Sequence, residues 1–389
     1  MQPTDFTDQK HGQVIFTLQG YHAYVPGNLP PNLEASWELS HKISVADRAL
    51  SELAGATRTL PNPHLFINSF LRREAVLSSR IEGTQASLSD LFFFEAAGEQ
   101  QKQSDVQEVI NYVKALNYGV ERLNDLPLSI RLLCEIHEKL MSGVRGNESR
   151  LTPGEVRRSQ NWIGKAGSSL LDAIYVPPPV EEMKICLGEL EKYFHSDSHL
   201  PPLVRLALIH YQFEAIHPYL DGNGRVGRLL ITLLLIKEQL LPQPILYLSA
   251  FFERNRERYY ELLLSVSQKG TWLEWIEYFL QGVAEESKDA VIRANSVIDL
   301  WTNYRQKLQN ERHSVSTLTL LDEIIKTPVM TYSKAQNILG VTNRAARQNV
   351  DKLVEIGLLK EITERERYKI FVATEIILIL ELADEINGN

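Results

Sequence analysis

The chain has 389 residues, 44% of them hydrophobic and 23% charged, with 21 Gly and 17 Pro. That composition excludes a disordered or collagen-like chain, and the length suits two or three domains, each with a core of its own. The formal net charge of −8, from 41 Lys and Arg against 49 Asp and Glu, gives no global attraction to nucleic acid, so any DNA contact must come from a local patch. The most apolar run, residues 229–236, is far shorter than the roughly 18 residues of a membrane-spanning helix. The opening MQPTDFTDQKHGQ lacks a basic patch followed by an apolar stretch, so no secretory signal, no membrane partner and a cytoplasmic location are expected. Cys134 and Cys186 sit in helix-like patterns outside any CxxC pair, which argues against a disulfide framework or a structural zinc site.

Residues 13–25, QVIFTLQGYHAYV, mix β-branched and aromatic side chains before the break PGNLPPN, which predicts a short extended segment and a loop. Over 36–53 and 62–81 apolar residues recur at three- and four-residue steps, the pattern of amphipathic helices. Asn62 followed by Pro63 suits the start of the second helix, and Gly83 suits its end. Further helices are predicted over 106–123, 130–141, 180–194, 204–216, 222–240 and 256–267, punctuated by prolines such as Pro127, Pro153 and Pro218. The segment Ala173-Ile174-Tyr175-Val176 is β-like and precedes three prolines, so a short hairpin or an exposed extended flap is expected there. Residues 271–311 read as one or two helices. Beyond 312, helices over 317–326, 333–339 and 343–356, a turn at Gly340 and two short strands around a charged turn make the pattern of a winged helix. The fold class is therefore all-α: a helical bundle with a short β-hairpin flap, plus a C-terminal winged helix-turn-helix domain.

The most informative string is His217-Pro-Tyr-Leu-Asp-Gly-Asn-Gly-Arg-Val-Gly-Arg228. Its Asp-Gly-Asn-Gly lies where a loop turns into an apolar helix, so backbone N–H groups of the helix start face the loop, and the glycines let a ligand come close. A helix N-terminus with its positive dipole end is an anion site, and Arg225 and Arg228, one turn apart, add two cations beside it. A polyphosphate is the implied ligand. Asp221 supplies a hard oxygen ligand at the mouth, and Mg²⁺ is commonly held by one or two carboxylates plus substrate phosphates, so ATP with Mg²⁺ is the natural candidate. His217 takes up a proton near neutral pH, which suits a general base for an incoming hydroxyl.

This string resembles the Fic family signature HPFx[D/E]GNGRxxR at every position but Tyr219, where the family usually carries Phe; Tyr keeps the ring and adds a hydroxyl. The resemblance, which extends over about residues 35–285, implies a Fic-type helical bundle. It also implies a protein adenylyltransferase that moves AMP from ATP onto a Tyr, Thr or Ser hydroxyl of a target protein. By it, His217 is the base, Asp221 the Mg²⁺ ligand, and Gly222, Asn223, Gly224 and Arg225 the phosphate cradle. Arg228 then holds the γ-phosphate and so orients the α-phosphate for in-line attack. Ser78-Ser-Arg-Ile-Glu82-Gly83 fits the family's inhibitory pattern [S/T]xxxE[G/N]; Ser78 and Glu82 share a helical face, and Glu82 is expected to pair with Arg228 and so inhibit the enzyme. PGEVRRSQNWIG, from Pro153, looks like the loop before the family's flap, and Ile174, Tyr175 and Val176 like the flap that registers an extended piece of target opposite His217. Asn255 and Tyr259, with Tyr260, are candidates for the adenine pocket. The expected organisation is a helical region 1–103 with the inhibitory helix, a catalytic core 104–285, a linker helix 286–311 and the winged helix 312–389; a homodimer is expected.

On the third C-terminal helix Asn343, Arg344, Arg347 and Lys352 stand where a DNA reader needs them. Residues 313–389, however, hold nine Lys and Arg against eleven Asp and Glu, and Glu361, Glu364 and Glu366 crowd the charged turn. DNA binding and a role in dimerisation or target docking stay open together. Two alternatives to AMP addition stand beside it: AMP removal from modified proteins, with Glu82 aiding a water, and a nucleotide-sensing DNA-binding regulator.

Overall fold

The computed structural model describes residues 1–8, 10–59, 63–97, 104–144, 152–165, 167–311, 313–363 and 369–381. In chain order it contains β1 (Gly12–Phe16), β2 (His22–Pro26), α1 (Trp37–Thr59), α2 (Pro63–Ile81), α3 (Leu88–Ala97), α4 (Ser104–Arg122) and α5 (Ile130–Met141). These are followed by α6 (Val180–His195), α7 (Pro202–Ile216), α8 (Asn223–Lys237), α9 (Ser249–Arg254), α10 (Arg256–Lys269) and α11 (Trp272–Asn310). The last elements are α12 (Val315–Lys326), β3 (Val329–Thr331), α13 (Tyr332–Leu339), α14 (Asn343–Glu355), β4 (Lys360–Glu361), β5 (Ile370–Val372) and α15 (Thr374–Glu381). The chain is mostly helical, as its periodicity predicts, and among the described residues no helix is long and apolar enough to cross a membrane. The stretch expected to hold one or two helices holds a single one, α11, of 39 residues.

Two compact units divide the chain, each built from two stretches: Met1–Ser51 with Asn111–Glu286, and Glu52–Ile110 with Ser287–Asn389. In the first, α7 and α8 form the centre. Residues 203–213 of α7 and 225–235 of α8 are buried around the whole helix, which is why their sequence shows a continuous apolar run instead of a stripe. α5 has the opposite character: Leu132, Leu133, Ile136, Leu140 and Met141 face inward from one side, and Ser129 Oγ caps its start by accepting the Leu132 N–H at 3.3 Å. Trp275, fully buried on α11, donates its indole N–H to the Ala207 carbonyl at 2.9 Å. The expected extended segment at 13–25 is a hairpin: β1 and β2 pair antiparallel, with Gly12 opposite Pro26 and Phe16 opposite His22. The intervening turn was hidden because Thr17-Leu18-Gln19-Gly20 carries one turn former. The flap is smaller than a hairpin, a single antiparallel bridge between Ile163 and Tyr175.

In the second unit α2 begins at Pro63; Asn62, expected as its cap, lies outside the described residues. The helix ends in a turn where the Gly83 N–H reaches the Arg80 carbonyl at 2.9 Å and Gly83 takes φ +96°. α3 was not expected; its start is fixed by Ser87 and Asp90, each side chain accepting the other's backbone N–H at 2.9–3.0 Å. α12 packs on α2, and Ser69 Oγ donates to the Ile325 and Lys326 carbonyls at 3.0 and 3.2 Å. Strands β3, β5 and β4 form an antiparallel sheet in that order, and β3 is one strand more than the sequence suggested. Thr331 and Thr342 cap α13 and α14. Arg344 and Arg347 are exposed on α14, the Arg347 guanidinium lying 4.9 Å from the Tyr332 ring centroid. Glu364 and Glu366 of the charged turn lie outside the described residues.

Candidate active site

α7 ends at His217, which takes the left-handed conformation, φ +50° and ψ +61°, an uncommon and strained state for a residue with a side chain. The chain then crosses Pro218–Asp221, takes φ +83° at Gly222 and enters α8 at Asn223. Gly222 has this conformation at low cost because it lacks a Cβ; one placed there would lie 2.9 Å from Met141 Sδ. Asn223 closes the loop on itself: Oδ1 accepts the Tyr219 N–H and Nδ2 donates to the Tyr219 carbonyl, both at 2.8 Å. The Asp221 carboxylate accepts the Gly222 N–H at 2.6 Å and stands 3.4 Å from Nη2 of the fully buried Arg225. Arg228, one turn on, is also buried.

The His217 ring has a defined tautomer. Its Nδ1 lies 3.3 Å from the Glu214 carbonyl, which can only accept, so Nδ1 carries the proton and Nε2 is the basic nitrogen.

Residues outside the signature hold this loop. His137 of α5 stacks on Tyr219 with ring centroids 3.9 Å apart and planes 7° off parallel. Its Nδ1 accepts the Gly154 N–H at 2.9 Å, so its Nε2–H donates to the Asp221 carbonyl at 3.0 Å. Burial above all pushes its pKa down to about 4. The Tyr219 hydroxyl, the one atom that departs from the usual Phe, donates to Cys134 Sγ at 3.7 Å, and burial raises its pKa well above 10. Asn161 Nδ2 donates to the Tyr219 carbonyl at 2.7 Å. Arg157, wholly buried, donates from Nε to the His217 carbonyl at 3.0 Å and through its backbone N–H to the Pro218 carbonyl at 2.8 Å. Beneath α8, His210 Nδ1 donates to the Gly227 carbonyl at 3.1 Å and Nε2 accepts the Tyr259 hydroxyl at 2.9 Å. Burial, and then the Arg228 charge, hold its pKa down at about 3.

Two family models match the chain: Fic/DOC family N-terminal over residues 40–121, and Fic/DOC family over residues 127–235, which includes the whole loop just described. The chain belongs to the Fic/DOC family. A protein adenylyltransferase Fic of Drosophila virilis is 26% identical over 214 residues, 54% of this chain and 40% of the relative. Its counterpart in Drosophila willistoni is 26% identical over 217 residues, 55% and 39%. The chain thus spans about two fifths of the length of these curated relatives. Among solved structures, a Fic family protein from Desulfovibrio desulfuricans G20 has a TM-score of 0.55 at 18% identity, covering 88% of this chain and 98% of that one. A Fic domain containing signaling protein from Bacteroides thetaiotaomicron has a TM-score of 0.52 at 17% identity, covering 65% and 95%. These two share the fold.

Within this Fic fold His217, Asp221, Gly222, Asn223, Gly224, Arg225 and Arg228 come together on the loop and first turns of α8. The other candidates are placed differently. Tyr259, expected to line an adenine pocket, is a core residue: it is 1% exposed, stacks on Phe252 with centroids 4.5 Å apart and bonds His210. Asn255 is exposed at the junction of α9 and α10, its Nδ2 donating to the Phe251 carbonyl at 2.9 Å. In the flap the side chains of Tyr175 and Val176 are buried, and the Tyr175 hydroxyl donates to the Ala215 carbonyl at 2.8 Å; Ile174 alone of the three points outward, 48% exposed. Ser78 is buried on α2, Glu82 is half-buried in the turn that ends it, and both belong to the second unit. His137, Arg157 and Asn161 were missed as site residues. A polar His on the inward face of α5 was the available signal for the first, and the PGEVRRSQNWIG string for the other two.

Proposed function

We propose that the chain is a self-inhibited protein adenylyltransferase that transfers AMP from ATP to a Tyr, Thr or Ser hydroxyl of a target protein. The observation that carries this reading is the loop from His217 to the start of α8, which sets a basic imidazole nitrogen and a carboxylate beside a helix N-terminus backed by Arg225 and Arg228. The helix start, with Gly222 and Gly224 giving close approach and Arg225 and Arg228 supplying charge, suits the phosphates of ATP. His217 Nε2 takes the proton of the target hydroxyl as its oxygen bonds to the α-phosphorus; the bond from that phosphorus to the bridging oxygen breaks, and pyrophosphate leaves. Ile174 of the flap is suited to meet an extended segment of the target.

The donor set at the mouth of the site, the single carboxylate of Asp221, fits Mg²⁺, which completes its shell with phosphate and water oxygens. When bound there, Mg²⁺ neutralises phosphate charge, and the chain's own part is to fix that carboxylate through Gly222 and Arg225. The motif from Ser78 to Gly83 supports inhibition by Glu82 acting on Arg228. Incubation with α-labelled ATP, Mg²⁺ and a cell lysate tests the reading. Incorporated label is expected to rise in Glu82→Gly and to vanish in His217→Ala; label that persists at the wild-type level in both sinks it.

A further inference from the structure

Arg157 is 0% exposed, and its guanidinium is spent wholly on main-chain carbonyls. Nε donates to His217 at 3.0 Å, Nη1 to Ser159 at 3.3 Å and Nη2 to Pro178, while the residue's own backbone N–H holds Pro218. Among the described residues no carboxylate lies within ion-pair distance of it. Burial lowers its pKa to about 10, which leaves it charged at neutral pH. A buried cation facing only carbonyl dipoles is a costly arrangement, and it joins two places separated in sequence: the strained left-handed backbone of His217, and Pro178, two residues beyond the flap segment 174–176. Neighbours repeat the pattern. Gln160 Nε2 donates to the Pro177 carbonyl at 2.9 Å and Asn161 Nδ2 reaches the His217 carbonyl at 3.4 Å, so residues 157–161 bind the root of the flap to the loop that carries the imidazole.

We infer that Arg157 is a positioning residue that locks His217 in its left-handed conformation and ties it to the flap root, fixing the imidazole against a hydroxyl that the flap presents. This rests on the transfer reading above. The planar fork matters more than the charge, because three carbonyls in different directions are served by Nε, Nη1 and Nη2 at once. A lysine keeps the charge and presents one ammonium at the end of a flexible stem. The first turns of α8, proposed above to hold the phosphates, make no hydrogen bond to the Arg157 guanidinium, so its loss should act on the transfer step and leave nucleotide binding alone.

The test uses Arg157→Lys in the whole 389-residue chain, measured beside wild type by three readouts: the crystal structure, the dissociation constant for ATP with Mg²⁺ by calorimetry, and the rate of AMP incorporation in the Glu82→Gly background. The expected result is a His217 φ that leaves the positive region, incorporation slowed ten-fold or more, and a dissociation constant within two-fold of wild type. A His217 φ still near +50° with a rate within two-fold overturns the inference, and so does a parallel loss of nucleotide binding and rate. Should Arg157→Lys fail to fold, Asn161→Ala removes the second donor to the His217 carbonyl; a smaller slowing at unchanged nucleotide affinity supports the inference, and an unaltered rate overturns it. If the Glu82→Gly parent incorporates no AMP, the transfer reading fails by itself, while φ and nucleotide affinity still decide the role of Arg157.

Discussion

His210 offers a test of the site's foundations through pH. It lies fully buried under α8, its ring 5.9 Å from those of both Phe252 and Trp275, donating to the Gly227 carbonyl and accepting from Tyr259. Its pKa falls from 6.5 to about 3 in the fold. The unfolded chain therefore binds this proton below pH 6.5 while the folded chain refuses it until about pH 3. The contribution to stability is complete above pH 6.5, declines as pH falls through that window, and declines no further below it. At about 1.4 kcal/mol per pH unit the full loss is about 5 kcal/mol, a large part of an ordinary domain's stability. His210→Phe keeps a ring in the stack and has no proton to refuse, but removes two buried hydrogen bonds, to the Gly227 carbonyl and from the Tyr259 hydroxyl, at a cost of about 3 kcal/mol at pH 7. Wild type should lose that same about 3 kcal/mol by roughly pH 4.3, so the two stability curves should cross there. Urea unfolding followed by tryptophan fluorescence from pH 7.5 to 4 reads the crossing. Parallel curves over that range would refute the assignment of a neutral His210 to the fold.

Three further substitutions have defined outcomes. Gly227→Ala places a Cβ 2.2 Å from Glu214 Oε1, the movable end of a half-buried side chain, and 3.3 Å from His210 Cε1; with the helix gaining about 1 kcal/mol of propensity, stability should stay within about 1 kcal/mol of wild type, and a larger drop in melting temperature by calorimetry means that Glu214 is held where it is. Tyr219→Phe restores the usual family residue and gives up only a long bond to sulfur, so stability should stay within about 1 kcal/mol of wild type in urea titration, and a loss twice that size means the hydroxyl has a stronger partner. Ser69→Ala removes both bonds to the last carbonyls of α12; about 1 kcal/mol is expected, read as faster amide exchange in α2 and α12 together.

The signature was legible because its chemistry is local. Asp221, Gly222 and Arg225 touch one another within five residues, and a loop entering an apolar helix can be read from the glycines and the run that follows. The braces were less legible because they arrive from afar: His137 lies 84 residues from the carbonyl it holds and Arg157 lies 60 from His217. The structure puts His137 on the buried face of α5, but a period states which face of a helix is inward and not what lies opposite. Tyr259 failed for the related reason that an aromatic residue near a binding loop can face the ligand or the core, and only its hydroxyl partner, His210, decides between them.

The grouping of the chain into units shows the same limit on a larger scale. In sequence order α2 belongs with the N-terminal helices, and its motif invites a reading in terms of the His217–Arg228 loop alone. In the fold α2 shares a unit with α12 and α15: Ser69 bonds carbonyls 256 residues away, and Arg293 of α11, also in this unit, ties down α15 through the Ile379 and Leu380 carbonyls at 2.6 and 2.9 Å. The helix that leads into Glu82 is thus stabilised by contacts with the C-terminal module, and its local free energy of opening depends on that module's integrity.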